Sequence, residues 1–128
     1  MSATSINHVN IRSSVELMHT LRDFYCAALG LQVGARPAFA SLGFWLYSDS
    51  HALIHLSVTR DDEIRSPHLH TTLDHIAFQC ENQTAMCEKL RAMGVEFTAD
   101  RVPGSPIYQV FFSDPAGNGV ELCFIANE

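Results

Sequence analysis

Apolar and polar side chains alternate with a period of two along four segments of the chain, residues 8–11, 52–58, 74–80 and 120–125. Such alternation predicts β-strands that bury one face and leave the other face more polar. In each segment, one side chain that can bind a metal ion falls on the more polar face: His8, His55, His75 and Glu121. The apolar faces remain free to pack on helices.

Two longer segments have the 3.6-residue period of an amphipathic helix. The first follows the capping-box spacing of Ser13-Ser14-Val15-Glu16 and ends at Gly30, and the second begins near Asn82 or Thr84 and ends at Gly94. Further strands are predicted between each helix and its closing strand, at residues 43–48, 96–98 and 107–112. Each half of the chain is therefore predicted to have the element order β-α-β-β-β.

The two halves repeat one arrangement. Nearly the same number of residues separates His8 from His55 as separates His75 from Glu121, and each closing strand follows a turn that contains Ser and Asp. We expect a single α+β domain over residues 1–128, with module 1 at about 5–58, a polar linker at 59–72 and module 2 at about 73–126. The repeat would place four metal-ligand side chains at equivalent points of two equivalent modules.

Composition and charge narrow the class of protein. The chain has 128 residues, of which 47% are hydrophobic and 17% charged, as expected for a globular domain. Its net charge of -6 and the lack of a Lys/Arg cluster exclude nucleic acid as an expected partner. No apolar run approaches the ~20 residues of a membrane span, so we expect a cytoplasmic protein without a membrane partner. Its cysteines lack CxxC spacing and are expected to be free thiols: Cys26, Cys80, Cys87 and Cys123.

Imidazole and carboxylate groups on one face of a sheet suit a borderline divalent ion. We expect one such ion, Zn, Ni, Fe(II), Co or Mn, with the ligands His8, His55, His75 and Glu121. A single polar residue on a strand is more often an ordinary surface or core residue. The prediction of a metal site therefore depends on four such residues recurring in a repeated pattern.

Other side chains are expected to line a substrate pocket beside this ion. Three follow the predicted ligands on the same strand faces, and three are aromatic residues of neighbouring strands for which a core position is the alternative: Asn10, Ser57, Gln79, Trp45, Tyr47 and Tyr108. Arg60 and Arg101 could bind a substrate carboxylate, or could be solvated surface charges. His68 and His70 of the linker are further candidates for acid or base chemistry.

The chain resembles the vicinal oxygen chelate superfamily, which includes lactoylglutathione lyase, methylmalonyl-CoA epimerase, extradiol dioxygenases, fosfomycin-resistance transferases and bleomycin-binding proteins. The resemblance covers essentially the whole chain. It rests on Asn7-His8-Val9, on Asp23-Phe24-Tyr25 followed by Leu29-Gly30-Leu31, on Asp74-His75-Ile76-Ala77-Phe78, and on Asp114-Pro115-Ala116-Gly117-Asn118 leading into Val120-Glu121-Leu122.

This resemblance implies a glyoxalase-like fold in which two tandem βαβββ modules form a curved mixed sheet. It implies His8, His75 and Glu121 as metal ligands, and His55 occupies the position where lyases and epimerases of the family have a fourth ligand, usually Glu or Gln. Either the His55 imidazole is both ligand and base, or another group transfers the proton. His55 and Glu121 are accordingly the expected catalytic residues.

Three functions are compatible with this pattern. The first is a metal-dependent lyase or isomerase that stabilises an enolate or oxyanion of a small oxygen-chelating substrate. The second is an Fe(II) extradiol-type dioxygenase that cleaves a catechol and needs only two histidines and one carboxylate. The third is a metal-free antibiotic-binding resistance protein, which the presence of His8, His75 and Glu121 disfavours. The resemblance also implies a small-molecule substrate and a homodimer.

Overall fold

The computed structural model describes residues 1–125. The chain divides into two compact units, a first module of residues 1–67 and a second module of residues 68–128. The first module contains β1 (Val9–Ser13), α1 (Val15–Leu29), β2 (Gln32–Gly34), β3 (Gly43–Ser48) and β4 (His51–Val58). The second module contains β5 (His75–Gln79), α2 (Gln83–Ala92), β6 (Thr98–Arg101), β7 (Ile107–Ser113) and β8 (Gly119–Ile125).

Each module forms its own four-stranded mixed sheet. The strand order is β1-β4-β3-β2 in the first module and β5-β8-β7-β6 in the second. In both sheets the first strand pairs in parallel with the last strand of its module, and the remaining pairs are antiparallel. The predicted α+β class and the repeated β-α-β-β-β order are therefore confirmed.

Helix α1 is positioned by its caps and by one apolar stripe. The side chain of Ser14, the N-cap, accepts a hydrogen bond from the backbone N of Leu17 at 3.3 Å, and Gly30 ends the helix at φ 68°. The buried residues of α1 recur at helical spacing, and α1 contacts β1, β2, β3 and β4: Met18, Leu21, Tyr25 and Ala28. Because the apolar face of the sheet is covered in this way, the polar face of β1, β3 and β4 is left for the site.

The core of the second module is likewise formed by buried residues of its helix and by one apolar face of its sheet. Helix α2 buries Cys87 and Leu90, and the strands β7 and β8 contribute a buried apolar set: Val110, Phe112, Val120, Leu122 and Phe124. The alternation along β8 leaves Glu121 on the opposite face from its two buried neighbours.

The main differences from the sequence prediction concern the start of α1 and the strands β2 and β6. Strand β1 continues through Ser13, so that the N-cap is Ser14 and not the first residue of the expected capping box. Strand β2 is not predicted by the sequence, because it has only three residues, all of them exposed, and therefore no apolar alternation. Strand β6 spans Thr98–Arg101 and not residues 96–98. None of the helices within residues 1–125 has the length and apolar character needed to cross a membrane.

Candidate functional site

The imidazole of His55 lies in a stack of three rings in the first module. Its centroid is 3.8 Å from that of His8, with planes 9° apart, and 4.0 Å from that of Trp45, with planes 13° apart. The strand register explains the stack, because His55 on β4 is paired with Asn10 on β1 and with Trp45 on β3. His55 is only 8% exposed. Burial, followed by the charge of His8, lowers the pKa of His55.

In the second module, the imidazole of His75 contacts the carboxylate of Glu121. Nε2 of His75 is 3.1 Å from Oε1 of Glu121, and the pairing of Ala77 with Glu121 in the parallel strands β5 and β8 puts both side chains on one face. Glu121 is buried, and its Oε2 accepts a hydrogen bond from Nε2 of Gln109 at 3.2 Å. The ring of Phe111 meets that of His75 edge-on at 5.4 Å.

The rings of His8 and His75 are each oriented by a hydrogen bond to the side chain of the preceding residue. Nδ1 of His8 donates to Oδ1 of Asn7 at 2.8 Å, and Nδ1 of His75 donates to Oδ2 of Asp74 at 2.8 Å. The hydrogen bond to Asp74 is the main cause that raises the pKa of His75, and the charge of Glu121 adds to it. When such a ring is neutral and its Nδ1 donates in this way, the lone pair lies on Nε2, which is the usual arrangement of histidines that bind metals.

His75 and Glu121 also fit a divalent ion by distance. Two ligand atoms at Zn-like bond lengths lie roughly 3.0 to 3.4 Å apart for octahedral to tetrahedral angles. The 3.1 Å between Nε2 and Oε1 falls within this range. Among residues 1–125, no three His, Cys, Asp or Glu side chains form a cluster that could hold an ion.

The stacked pair of the first module has a different geometry. An imidazole holds an ion close to its own ring plane, and the planes of His8 and His55 are nearly parallel and 3.8 Å apart at their centroids. A single ion cannot lie in both planes. One ring would have to turn before His8 and His55 could bind the same ion, and this geometry disfavours the expected role of His55 as a fourth ligand beside His8.

A cavity of about 640 Å³ lies on the same face of the first module. The expected pocket residues of this module line it together with His8 and His55: Asn10, Trp45, Tyr47 and Ser57. Its lining also includes Arg12 and Arg36, and an aromatic wall is formed by Trp45 and Phe39, whose ring centroids are 6.4 Å apart. The cavity therefore has an aromatic wall and basic side chains beside the histidine stack.

Behind the cavity, hydrogen bonds hold its polar residues in place. Oγ of Ser57 donates to Oδ1 of Asn10 at 2.9 Å and accepts from Nε of Arg12 at 3.3 Å. Nη1 of Arg12 in turn lies 3.3 Å from Oε1 of Glu63. Glu63, in the segment that follows β4, is thus linked through Arg12 to Ser57 on β4 and Asn10 on β1. These hydrogen bonds orient two predicted pocket residues, Asn10 and Ser57.

The remaining predicted residues lie elsewhere. Gln79 is on the Glu121 face at the end of β5 and donates to the carbonyl of Cys123 at 3.1 Å. Tyr108 is paired with the buried Phe124, so it lies on the opposite face of the sheet from Glu121, and its expected place in the pocket beside Glu121 is not supported. The other arginine and histidine candidates are exposed and do not line the first-module cavity: Arg60, Arg101, His68 and His70.

A tight turn sets the start of β8, which carries Glu121. The buried carboxylate of Asp114 accepts hydrogen bonds from the backbone N of Ala116 at 2.8 Å and of Asn118 at 3.0 Å, and from Nδ2 of Asn118 at 2.9 Å. The turn ends where β8 begins, at Gly119, and Gly119 is paired with His75. The Asp-Pro-Ala-Gly-Asn motif is therefore a positioning element for the His75–Glu121 pair.

Several residues of the two sites had not been predicted from sequence. Arg36 and Phe39 lie between β2 and β3, where the sequence has no period to orient a side chain. His51 begins β4, and its Nε2 contacts the backbone O of Asn7. Gln109 lies next to Tyr108, and choosing between them requires the β7 to β8 register, which the sequence does not contain.

Comparison with known proteins agrees with the fold and with the resemblance. The model of the Glyoxalase/Bleomycin resistance protein/Dioxygenase superfamily matches residues 5–122. The chain is 31% identical over 126 residues to Glyoxylase I 4 of Arabidopsis thaliana, a match that covers 94% of this chain and 70% of that protein.

Solved structures share the fold. A glyoxylase/bleomycin resistance protein/dioxygenase domain from Frankia sp. EAN1pec superposes with a TM-score of 0.72 at 18% identity, over 98% of this chain and 95% of that one. Lactoylglutathione lyase from Agrobacterium tumefaciens gives a TM-score of 0.66 at 16% identity, over 97% and 96% of the two chains. The sequence motifs, the repeated modules and these matches together show that the chain belongs to the glyoxalase/bleomycin resistance/dioxygenase superfamily.

Proposed function

We propose that this protein is a divalent-metal-dependent lyase or isomerase of the glyoxalase type, acting on a small oxygen-chelating substrate. One observation carries the proposal: the contact of His75 with Glu121, with Nδ1 of His75 bonded to Asp74. The matching bond from His8 to Asn7 supports a third ligand in the first module. Membership of a superfamily in which divalent ions are common adds to this. Residues 1–128 are proposed to act as one domain, in a homodimer.

The proposed roles of the residues follow from their contacts. His8, His75 and Glu121 hold the ion, Zn, Ni, Fe(II), Co or Mn, while Asn7 and Asp74 fix the two rings. When bound, such an ion acts as a Lewis acid that polarises substrate oxygens. The substrate itself occupies the first-module cavity.

His55 is assigned the proton transfer. Its ring lies in the cavity wall between His8 and Trp45, in a plane that disfavours sharing an ion with His8. The stack on both faces fixes the ring, so only its edge is available to a substrate. A base positioned in this way can take a proton from a carbon next to a carbonyl and return it to the neighbouring atom.

An Fe(II) dioxygenase is the second candidate, and the same stack favours it. If His55 is not a ligand, the proposed set is two histidines and one carboxylate, which is the ligand set of many Fe(II) oxygenases. The two candidates differ in their need for oxygen. Activity on a catechol that disappears under anaerobic conditions would select the dioxygenase.

Metal analysis of the purified protein tests the proposal. We expect about one divalent ion per chain in wild type and a loss of most of it in Glu121→Ala, because a buried carboxylate ligand is removed. Glu88→Ala, an exposed position on α2, is the matched control and should keep its metal. Wild-type stoichiometry in Glu121→Ala would rule the site out. Activity should then be sought with dicarbonyl-thiol adducts and with catechols.

A further inference from the structure

The cavity of the first module is basic although the chain is acidic. Two arginines and three histidines line it, and no aspartate or glutamate of residues 1–125 does: Arg12, Arg36, His8, His51 and His55. The whole chain has 14 acidic residues against 8 lysines and arginines. The two arginines give the cavity a local positive charge, which concentrates ligands of the opposite charge.

Only one of the two arginines already has a carboxylate partner. Arg12 is paired with Glu63 and bonded to Ser57. Arg36 makes no ion pair with any carboxylate of residues 1–125; Nη1 donates to the backbone O of Ser41 at 2.9 Å, and its Nε is buried without a hydrogen-bond partner in that part of the chain. Because Arg36 lines the cavity and has no carboxylate partner within residues 1–125, the positive charge of its guanidinium is not neutralised there by the protein itself.

The surroundings of Arg36 hold the guanidinium at the cavity wall. Its Cζ lies 4.8 Å from the ring centroid of Phe39. A Cβ added at Gly43 would lie 2.6 Å from Nη2 and 2.7 Å from Cζ of Arg36, so the absence of a side chain at Gly43 leaves the space that the guanidinium fills. The group is therefore held in place before any ligand binds, which reduces the entropy lost on binding.

Aromatic side chains form the rest of this wall. Trp45 and Phe39 lie 6.4 Å apart at 49°, and Tyr47 lines the same cavity with its OH bonded to the backbone O of Ala35. A ligand that combines a negative charge with a flat apolar group matches both features.

We propose that the first-module cavity selects small carboxylates that carry a flat apolar group, with Arg36 as the counter-ion of the carboxylate. This inference deepens the proposed function, on which it rests for the chemical step, by naming the substrate class. Arg36 is here a specificity residue and takes no part in the proton transfer.

Fluorescence of Trp45 provides the test, because it is the single tryptophan of the chain and lies in the cavity. Phenylacetate and the neutral phenylacetamide have nearly the same shape. With EDTA present, so that no ion can bind the carboxylate, we expect wild type to bind phenylacetate about tenfold more tightly than the amide, the range for a hydrogen bond to a charged group. Equal affinities for the two probes would overturn the proposal.

Two variants locate the effect. Arg36→Gln should lose the preference for phenylacetate and keep its affinity for phenylacetamide, while Arg91→Gln, the same charge change on α2, should behave as wild type. Near-UV circular dichroism checks that each variant is folded. A preference that persists in folded Arg36→Gln would also overturn the proposal. The metal content of Glu121→Ala is measured separately, so failure of the carboxylate site and failure of the metal site can be told apart.

Discussion

Oδ2 of Asp74 lies 2.8 Å from Nδ1 of His75. In the proposed metal site this carboxylate would fix the tautomer of the imidazole and increase its strength as a ligand, although Asp74 itself is largely exposed. Asn7 makes the equivalent bond to His8 with a neutral amide. In both modules the preceding residue therefore accepts a hydrogen bond from Nδ1, which leaves Nε2 directed away from that residue. The two modules differ in the charge of the acceptor, which is a neutral amide in the first and a carboxylate in the second.

Removing the carboxylate of Asp74 should weaken metal binding without abolishing it. We expect Asp74→Ala to lower the metal affinity about tenfold, the lower end for a residue that orients a ligand, because the contact is exposed. Competition with a chromophoric chelator measures this. Asp61→Ala is the control of equal charge, and an unchanged affinity in Asp74→Ala would show that Asp74 does not orient a ligand.

His55→Ala separates the roles proposed for this residue. If His55 transfers the proton, the variant should keep its metal and lose at least roughly 10²-fold in turnover. His19→Ala, an exposed histidine on α1, serves as the control. Loss of metal from His55→Ala would instead make His55 a ligand, and retained oxygen-dependent activity would favour the dioxygenase.

The hydrogen bonds that Glu63 accepts predict how stability depends on pH. Hydrogen bonds from Arg65, from the backbone N of Arg60 and from Arg12 lower the pKa of Glu63 to about 2 from a usual 4.5. A lowered folded-state pKa gives stability that is present above pH 4.5 and lost as the pH falls towards 2.

Glu63→Gln should therefore unfold at a lower urea concentration than wild type at neutral pH. This difference should shrink as the pH falls below 4.5 and vanish once the pH lies below the folded-state pKa of about 2. Glu81→Gln, an exposed carboxylate outside this cluster, should show no such pH-dependent gap. A gap that stays constant across the range would contradict the ionic origin of the effect.

Gly119 lies where β8 passes closest to the start of β5. A Cβ at Gly119 would collide with the backbone O of Asp74 and lie 3.0 Å from Cβ of His75. Because backbone atoms cannot move aside, Gly119→Ala should cost about 1–3 kcal/mol of unfolding free energy and weaken metal binding by displacing His75.

Gly30→Ala is the useful comparison for this variant. Gly30 has φ 68° and open space around it, so the substitution should cost about 1 kcal/mol and leave the metal affinity unchanged. Thermal unfolding and chelator competition measure both quantities. Equal effects of the two substitutions on metal binding would show that the close approach at Gly119 does not set the site.

Sequence periodicity predicted the features that depend on strand alternation. His75 and Glu121 could be placed on one face because each belongs to a strand with a clear apolar side. Tyr108 could not be placed, since its face depends on how β7 aligns with β8 after an intervening turn. Arg36 could not be predicted at all, because its position depends on a non-periodic segment and on the space left by Gly43. The stack of His8 on His55 likewise depends on ring orientation.

The turn held by Asp114 also has a consequence for the chemical lifetime of the protein. An Asn followed by Gly is prone to deamidation through attack of the next backbone nitrogen on the side-chain amide, and Asn118-Gly119 is such a pair. The bond from Nδ2 of Asn118 to Asp114 restrains that amide. If it were hydrolysed, a second carboxylate would face Asp114 and repel it, three residues before Glu121. The same hydrogen bonds that shape this turn would therefore also protect the segment leading to Glu121 from chemical change.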